Sequence, residues 1–279
     1  MYRLKKHSNK NQYLHVGDDL WIRNPGISGV PFLDINNLLP SSDYPTMLKN
    51  EQWSMRAKYP WIDTENIVAR KAVIVSDGFG FEAGHDQIAN LPKDVLIFAV
   101  NGALSKWEST KRTPNFYVIN NPYSESQNYL PRSTGTKCIA STRTNSEFMA
   151  AYSGAKFRYC PSSDGRYCGV ENHDCKYKID DYRNPVCASI NLLHRFGVQK
   201  LALAFCDEVF EDERPASLQS EDGKWYYPQH LIVNKLIDGN LYWLNKNNGC
   251  KTVQHLTGPK LKVAEYIPLE NMSRFFQGK

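Results

Sequence analysis

At four places in the chain a short apolar run ends abruptly in polar residues. The run 72–76 breaks into Asp77-Gly78-Phe79-Gly80, 94–100 into Asn101, 116–119 into Asn120-Asn121-Pro122, and 200–205 into Cys206-Asp207-Glu208. Carboxylates and amides of this kind can bind the hydroxyls of a ribose or a sugar, and Gly78 and Gly80 let backbone come close to a ligand. Turns also select Asn, Asp and Gly, so each tip alone reads equally as a turn. A fifth place is Trp225-Tyr226-Tyr227-Pro228-Gln229-His230. A histidine beside tyrosines, just ahead of a helix, suits a general base near neutral pH, and it also suits a surface turn. Asn184-Pro185 opens a helix whose free N–H groups and positive dipole end can seat a phosphate, or Asn184 is simply its cap.

The elements that must position these residues follow from periodicity. The runs at 72–76, 94–100, 116–119, 137–141, 156–159, 200–205 and 252–256 read as strands, most of them apolar on both faces. Helices are expected at 84–91, 101–109, 146–152 with Thr144 or Asn145 as cap, 185–196 closed by Gly197, and 231–243. Buried strands alternating with helices predict an α/β fold, a Rossmann-like and mostly parallel sheet with helices on both faces. Ligands of such sheets bind beyond the carboxyl ends of the strands, where the four polar tips converge. This core spans 71–279, with 161–183 long enough to act as a lid. Residues 1–70, rich in Pro, Asn and aromatics, read as an irregular extension packed on the core. Its Trp21, Trp53 and Trp61, interleaved with Arg23, Lys49, Arg56 and Lys58, suit either nucleic-acid contact or docking to the core.

Several classes are disfavoured. The 77–80 loop lacks the G-x-G-x-x-G spacing of a dinucleotide site and the Gly-Lys-Ser/Thr of a P-loop, and neither G-x-S-x-G nor H-E-x-x-H occurs. A net charge of +5 suits an anionic ligand without choosing one. No apolar run reaches the roughly 20 residues that span a bilayer. The bases of Met1-Tyr-Arg-Leu-Lys-Lys-His precede no apolar stretch, so a cytoplasmic setting is expected, with the seven cysteines reduced. Cys138, Cys187 and Cys206 read as core residues, whereas Cys160, Cys168, His173 and Cys175 form either a zinc-stapled loop or a Cys-rich loop without metal.

The order strand, polar Gly loop, helix, strand, Asn101, strand, Asn121-Pro122 resembles a Rossmann-like family with two branches. One comprises bacterial lipooligosaccharide sialyltransferases, the other proteins similar to 6-hydroxymethylpterin diphosphokinase. The segments 186–197, 200–207 and 258–267, and His230 after Tyr226-Tyr227, fit the first branch; the Pro-Ser pair of its first loop is missing here. The resemblance implies an inverting, metal-independent glycosyltransferase with a nucleotide-sugar donor as substrate and no cofactor. Asp77, Gly78, Gly80, Asn101 and Asn121 would hold the donor, the Asn184 helix start would face its phosphate, and His230 would deprotonate the acceptor. Asp207 would join the catalytic group, and Tyr226, Tyr227 or Arg183 would meet the leaving-group charge. The acceptor expected is a hydroxymethylated base in phage DNA, receiving glucose or arabinose in the host cytoplasm, or else a glycan. A Mg²⁺-dependent diphosphotransferase on a pterin-like alcohol and a non-catalytic nucleotide-binding module are the alternatives.

Overall fold

The computed structural model describes residues 3–6, 12–16, 19–23, 32–34, 44–107, 111–131, 135–161, 177–181, 184–207, 209–210, 217–219, 225–226, 228–256 and 260–278. The first strands form a sheet of their own. β1 (Arg3–Lys6), β2 (Gln12–Val16), β3 (Asp19–Arg23) and β4 (Phe32–Asp34) pair antiparallel in sequence order. The sequence suggested an irregular stretch because strands of three to five residues are too short to display a period of two. Next comes α1 (Tyr44–Ala57), likewise unforeseen. Its Asn50 side chain donates to the carbonyls of Pro122 (2.9 Å) and Arg143 (3.2 Å). Arg158 donates to the Ser54 carbonyl at 2.7 Å, and its guanidinium lies 4.2 Å from the centre of the buried Trp61 ring.

The main sheet has nine strands, all in parallel pairs. Along the chain come β5 (Lys71–Val75), α2 (Phe81–Ala89), β6 (Val95–Val100), β7 (Phe116–Ile119), β8 (Lys137–Ser141), α3 (Ser146–Ala151), β9 (Lys156–Pro161) and β10 (Lys178–Ile179). There follow α4 (Pro185–Arg195), β11 (Lys200–Ala204), β12 (Val209–Phe210), β13 (Leu218–Gln219), β14 (Trp225–Tyr226), α5 (Pro228–Asn248), β15 (Lys251–His255), β16 (Glu265–Tyr266) and α6 (Met272–Gln277). The order across the sheet is β10-β9-β8-β7-β6-β5-β11-β15-β16, while β12, β14 and β13 form a small antiparallel sheet apart. The chain enters at β5, lays β6 to β10 outward on one side, and returns through α4 to place β11 on the other. The strand order therefore reverses between β5 and β11, which is where such folds open a crevice.

Burial explains the sheet. Ala72 and Ile74 of β5 join Val186, Ile190 and Leu193 of α4 and Leu241 of α5 in one apolar cluster. Val73 and Val75 join Phe81 and Ile88 of α2, Phe148 of α3 and Phe276 of α6 in the other. Both faces are covered, which is why the strands carry no polar alternation. Leu192 and Leu193 are fully buried, and each contributes about 2–3 kcal/mol by leaving water. Cys138, Cys187 and Cys206 are buried free thiols. Cys160 is disulfide-bonded, unlike the reduced state expected; its partner lies outside the described residues.

Two helices differ from expectation. In place of the expected helix, the described residues 101–107 hold a single tight turn, Asn101–Ala103, followed by a hydrogen-bonded turn, and Asn101 adopts a left-handed backbone (φ 52°) that interrupts helical geometry. α5 starts at Pro228, suited to a first helical turn, so His230 lies inside the helix rather than ahead of it. Among the described residues no helix is long and apolar enough to cross a membrane.

Candidate functional site

The crevice is built where β5 and β11 end side by side. Gly78 N–H donates to the Phe205 carbonyl at 3.0 Å. A Cβ on Gly78 would stand 2.2 Å from the Asp207 carbonyl oxygen and 2.4 Å from that of Phe205, so only glycine lets the two loops touch. Gly80 turns the chain into α2 with φ 84°. At Gly84 a Cβ would meet the Phe205 ring at 2.5 Å, so the missing side chain brings α2 onto the end of β11. Phe205 itself holds a left-handed backbone (φ 55°), an unfavourable state for an aromatic residue that its packing against Phe81 and His255 sustains. Glycines at 78, 80 and 84 follow the spacing of the familiar three-glycine turn with one residue more between the last two: Gly78 and Gly84 allow close packing, and Gly80 supplies the positive φ. The extra residue before Gly84 hides this turn from the standard G-x-G-x-x-G spacing.

A cavity of about 650 Å³ opens over this junction, lined by Asp77, Gly80, Glu82, Asn101, Lys106 and Asp207 among others. The start of α2 faces it. No side chain caps that start: Gly80 occupies the cap position and contributes none. The Phe81 and Gly84 N–H groups are spent on local carbonyls, and Glu82 and Ala83 line the cavity between them. An uncapped helix start in a concave site favours an anion. Lys106 adds a half-exposed ammonium 3.1 Å from Asp77 Oδ2. Lys106 went unnoticed because the sequence reading placed it inside a helix.

The polar tips meet, although several also hold one another. Asp77 Oδ1 accepts from Gly102 N–H at 3.2 Å, and Asn101 Nδ2 donates to Ser76 Oγ at 3.1 Å. The Asn101 carbonyl accepts from the buried Tyr117 hydroxyl at 2.8 Å. A carboxylate has about four acceptor positions, so Asp77 keeps capacity for a ligand hydroxyl. Asp207 is buried at the cavity wall.

Asn101 also lines a second, smaller recess of about 220 Å³, with Asn120, Asn121, Arg143, Asp181 and Asn184. Here Asn120 Nδ2 donates to Asp181 Oδ2 at 3.4 Å and Asn121 Oδ1 accepts from Tyr123 N–H at 2.9 Å. Tyr159 donates to the same Asp181 oxygen at 3.2 Å; burial first, then this carboxylate, raises the phenol well above its usual range. Arg143, buried at the end of β8, stands 3.7 Å from Glu51 of α1. Burial raises Glu51 against the opposing pull of Arg143. Arg143 escaped the sequence reading because its partner lies 92 positions earlier.

Asn184 is a cap. Its Oδ1 accepts from Val186 N–H at 2.8 Å and Cys187 N–H at 3.2 Å, so its own side chain fills the place foreseen for a phosphate. His230 lies in the first turn of α5, and its side chain, with Arg183, Tyr227, Cys168, His173 and Cys175, is outside what the structure describes. Among the described residues no three His, Cys, Asp or Glu side chains stand together as metal ligands.

The fold is a Rossmann-like α/β sheet with a crevice where the strand order reverses. No family model and no curated protein matches the chain. Among solved structures it is similar to the MAf glycosyltransferase of Magnetospirillum magneticum AMB-1, with a TM-score of 0.59 and 14% identity. The match covers 82% of this chain and 39% of that one, so this chain corresponds in fold to well under half of that larger protein.

Proposed function

We propose that the chain is a glycosyltransferase that binds a nucleotide-sugar donor over the β5–β11 junction. The observation that carries this reading is the uncapped start of α2 facing the larger cavity, with Lys106 beside it. The fold likeness to a glycosyltransferase supports it. The donor's phosphates lie against the α2 start, displaced from the Asn184 position that the sequence suggested. Asp77 and Asn101 accept and donate to ribose or sugar hydroxyls.

In the reaction, His230 takes the proton of the acceptor hydroxyl as its oxygen attacks the anomeric carbon. The bond from that carbon to the phosphate oxygen breaks on the opposite face, which inverts the centre. The nucleotide leaves with the electron pair. Its charge is met by Lys106, the α2 N–H groups and Arg183 or Tyr227, the role a metal ion fills elsewhere. Asp207, at the cavity wall, holds this machinery in place. The acceptor reading is a hydroxymethylated base in duplex DNA, for which the +5 charge speaks, with a glycan hydroxyl as the other candidate. Trp61, one of the aromatics suited to nucleic acid, is instead buried against Arg158.

The test is turnover of CMP-, UDP-, GDP- and ADP-sugars with hydroxymethylated DNA and with glycans, with and without Mg²⁺. We expect release of the nucleotide without Mg²⁺, and a fall of about 10²–10⁴ in kcat for His230→Ala. Full turnover by His230→Ala would end the mechanism, and activity only with ATP and Mg²⁺ would favour diphosphotransfer.

A further inference from the structure

At the opposite end of the sheet stands a row of bases that the reaction does not use. Lys71, Lys200 and Lys251 are the first residues of β5, β11 and β15. These three strands are neighbours, and the lysines are direct register partners: Lys200 pairs with Lys71 on one side and Lys251 on the other. Register partners in a parallel sheet point to the same face, with backbones about 4.8 Å apart. Like charges placed so are unfavourable to the fold. Burial, then Lys71 and Lys251, lowers the Lys200 ammonium from its usual value.

Arg70 adds a fourth base. Together with Asn248 and Gly249 of the α5–β15 turn, these residues line a recess of about 440 Å³. Compensation is partial. Asp94 binds Lys71 at 2.7 Å, and it also feels Arg112. Lys200 donates to the carbonyls of Phe275 (3.0 Å) and Gly278 at the end of α6. Arg70 and Lys251 have no ion pair among the described residues. Four bases thus converge on a recess for which, among the described residues, one shared carboxylate answers. A recess of this size suits a small ligand, whereas an extended helical backbone needs a wide open surface.

We propose that the starts of β5, β11 and β15 form a binding site for a compact phosphate polyanion, a di- or triphosphate held by Arg70, Lys71, Lys200 and Lys251. The site lies at the other end of the strands from the donor crevice and does not depend on the reading of that crevice. A bound polyphosphate would turn the unfavourable row of like charges into a set of charge-assisted hydrogen bonds.

The test is calorimetric titration of the full chain with pyrophosphate, tripolyphosphate and ATP at fixed ionic strength. The variants are the double substitution Arg70→Gln/Lys251→Gln, at two exposed positions, and Lys106→Met in the crevice. We expect saturable binding of tripolyphosphate that the double variant weakens at least about tenfold and Lys106→Met leaves intact. Equal affinity for tripolyphosphate and ATP would assign a free polyphosphate, and tighter ATP binding a nucleotide's tail. Three results would overturn the proposal. They are no saturable binding, binding that the double variant keeps, and displacement by a DNA duplex whose own binding the double variant abolishes.

Discussion

Two helix starts face neighbouring cavities, α2 the larger crevice and α4 the smaller recess, and they differ in how they are capped. α4 begins with Asn184, whose carboxamide oxygen already accepts two N–H groups. α2 begins with Gly80, which has no side chain to offer, and it faces the larger cavity beside Lys106. The better cap is therefore the poorer anion seat, because a satisfied N–H has nothing left to donate. A strong helix-start signature in a sequence marks where the protein has completed its own hydrogen bonds. A ligand is better sought at the start that the protein leaves incomplete.

The largest effect is expected at the glycine that brings β5 and β11 together. Gly78→Ala should lower stability by about 3 kcal/mol in urea unfolding, because the new methyl meets two backbone carbonyls that cannot swing aside. A loss under about 1 kcal/mol would mean that the junction is looser than described. Asn184→Ala should cost about 1 kcal/mol, the worth of a cap, and leave nucleotide affinity unchanged. Lys106→Met should do the reverse. It should weaken nucleotide binding about tenfold, while stability moves by less than about 0.5 kcal/mol because its pair with Asp77 is half-exposed.

The smallest effect concerns how α1 holds the neighbouring recess. Burial raises the Glu51 carboxyl above its ordinary 4.5, so the folded chain keeps a proton that the unfolded chain releases. The stability this gives is full below 4.5 and is lost as pH rises through the raised folded value. Wild-type stability should therefore decline across that window relative to Glu51→Gln, read from thermal unfolding at stepped pH. Parallel curves for the two proteins would place the Glu51 proton elsewhere.

Much of the parallel core was legible. Runs such as 72–76 and 116–119 are apolar on both faces because the sheet is covered on both faces, and that pattern needs no partner to be read. The Asn184-Pro185 start and the Gly197 end of α4 were legible because caps are local, and Gly197 does hold φ 78°. What was not legible depends on distance along the chain. Arg143 lies at the recess because Glu51 and Asn50, on a helix about 90 positions earlier, reach it. The Asn101 turn, found where a helix was expected, is held by groups far along the chain: Asp77 accepts from the Gly102 N–H and Tyr117 donates to the Asn101 carbonyl. The edge strands β10 and β16 have two residues each and leave no period to detect. The four polar tips were readable singly, but that Asn101 borders both cavities follows only from the strand order.

The most direct measurement is calorimetric titration of CMP, UDP, GDP and ADP into the wild type, Lys106→Met and Asn184→Ala, without metal. At least one nucleotide should bind, Lys106→Met should weaken it, and Asn184→Ala should not. Loss of binding in Asn184→Ala with Lys106→Met unchanged would put the phosphate at the start of α4 instead, and the absence of binding by any nucleotide would rule out a nucleotide-sugar site at the start of α2.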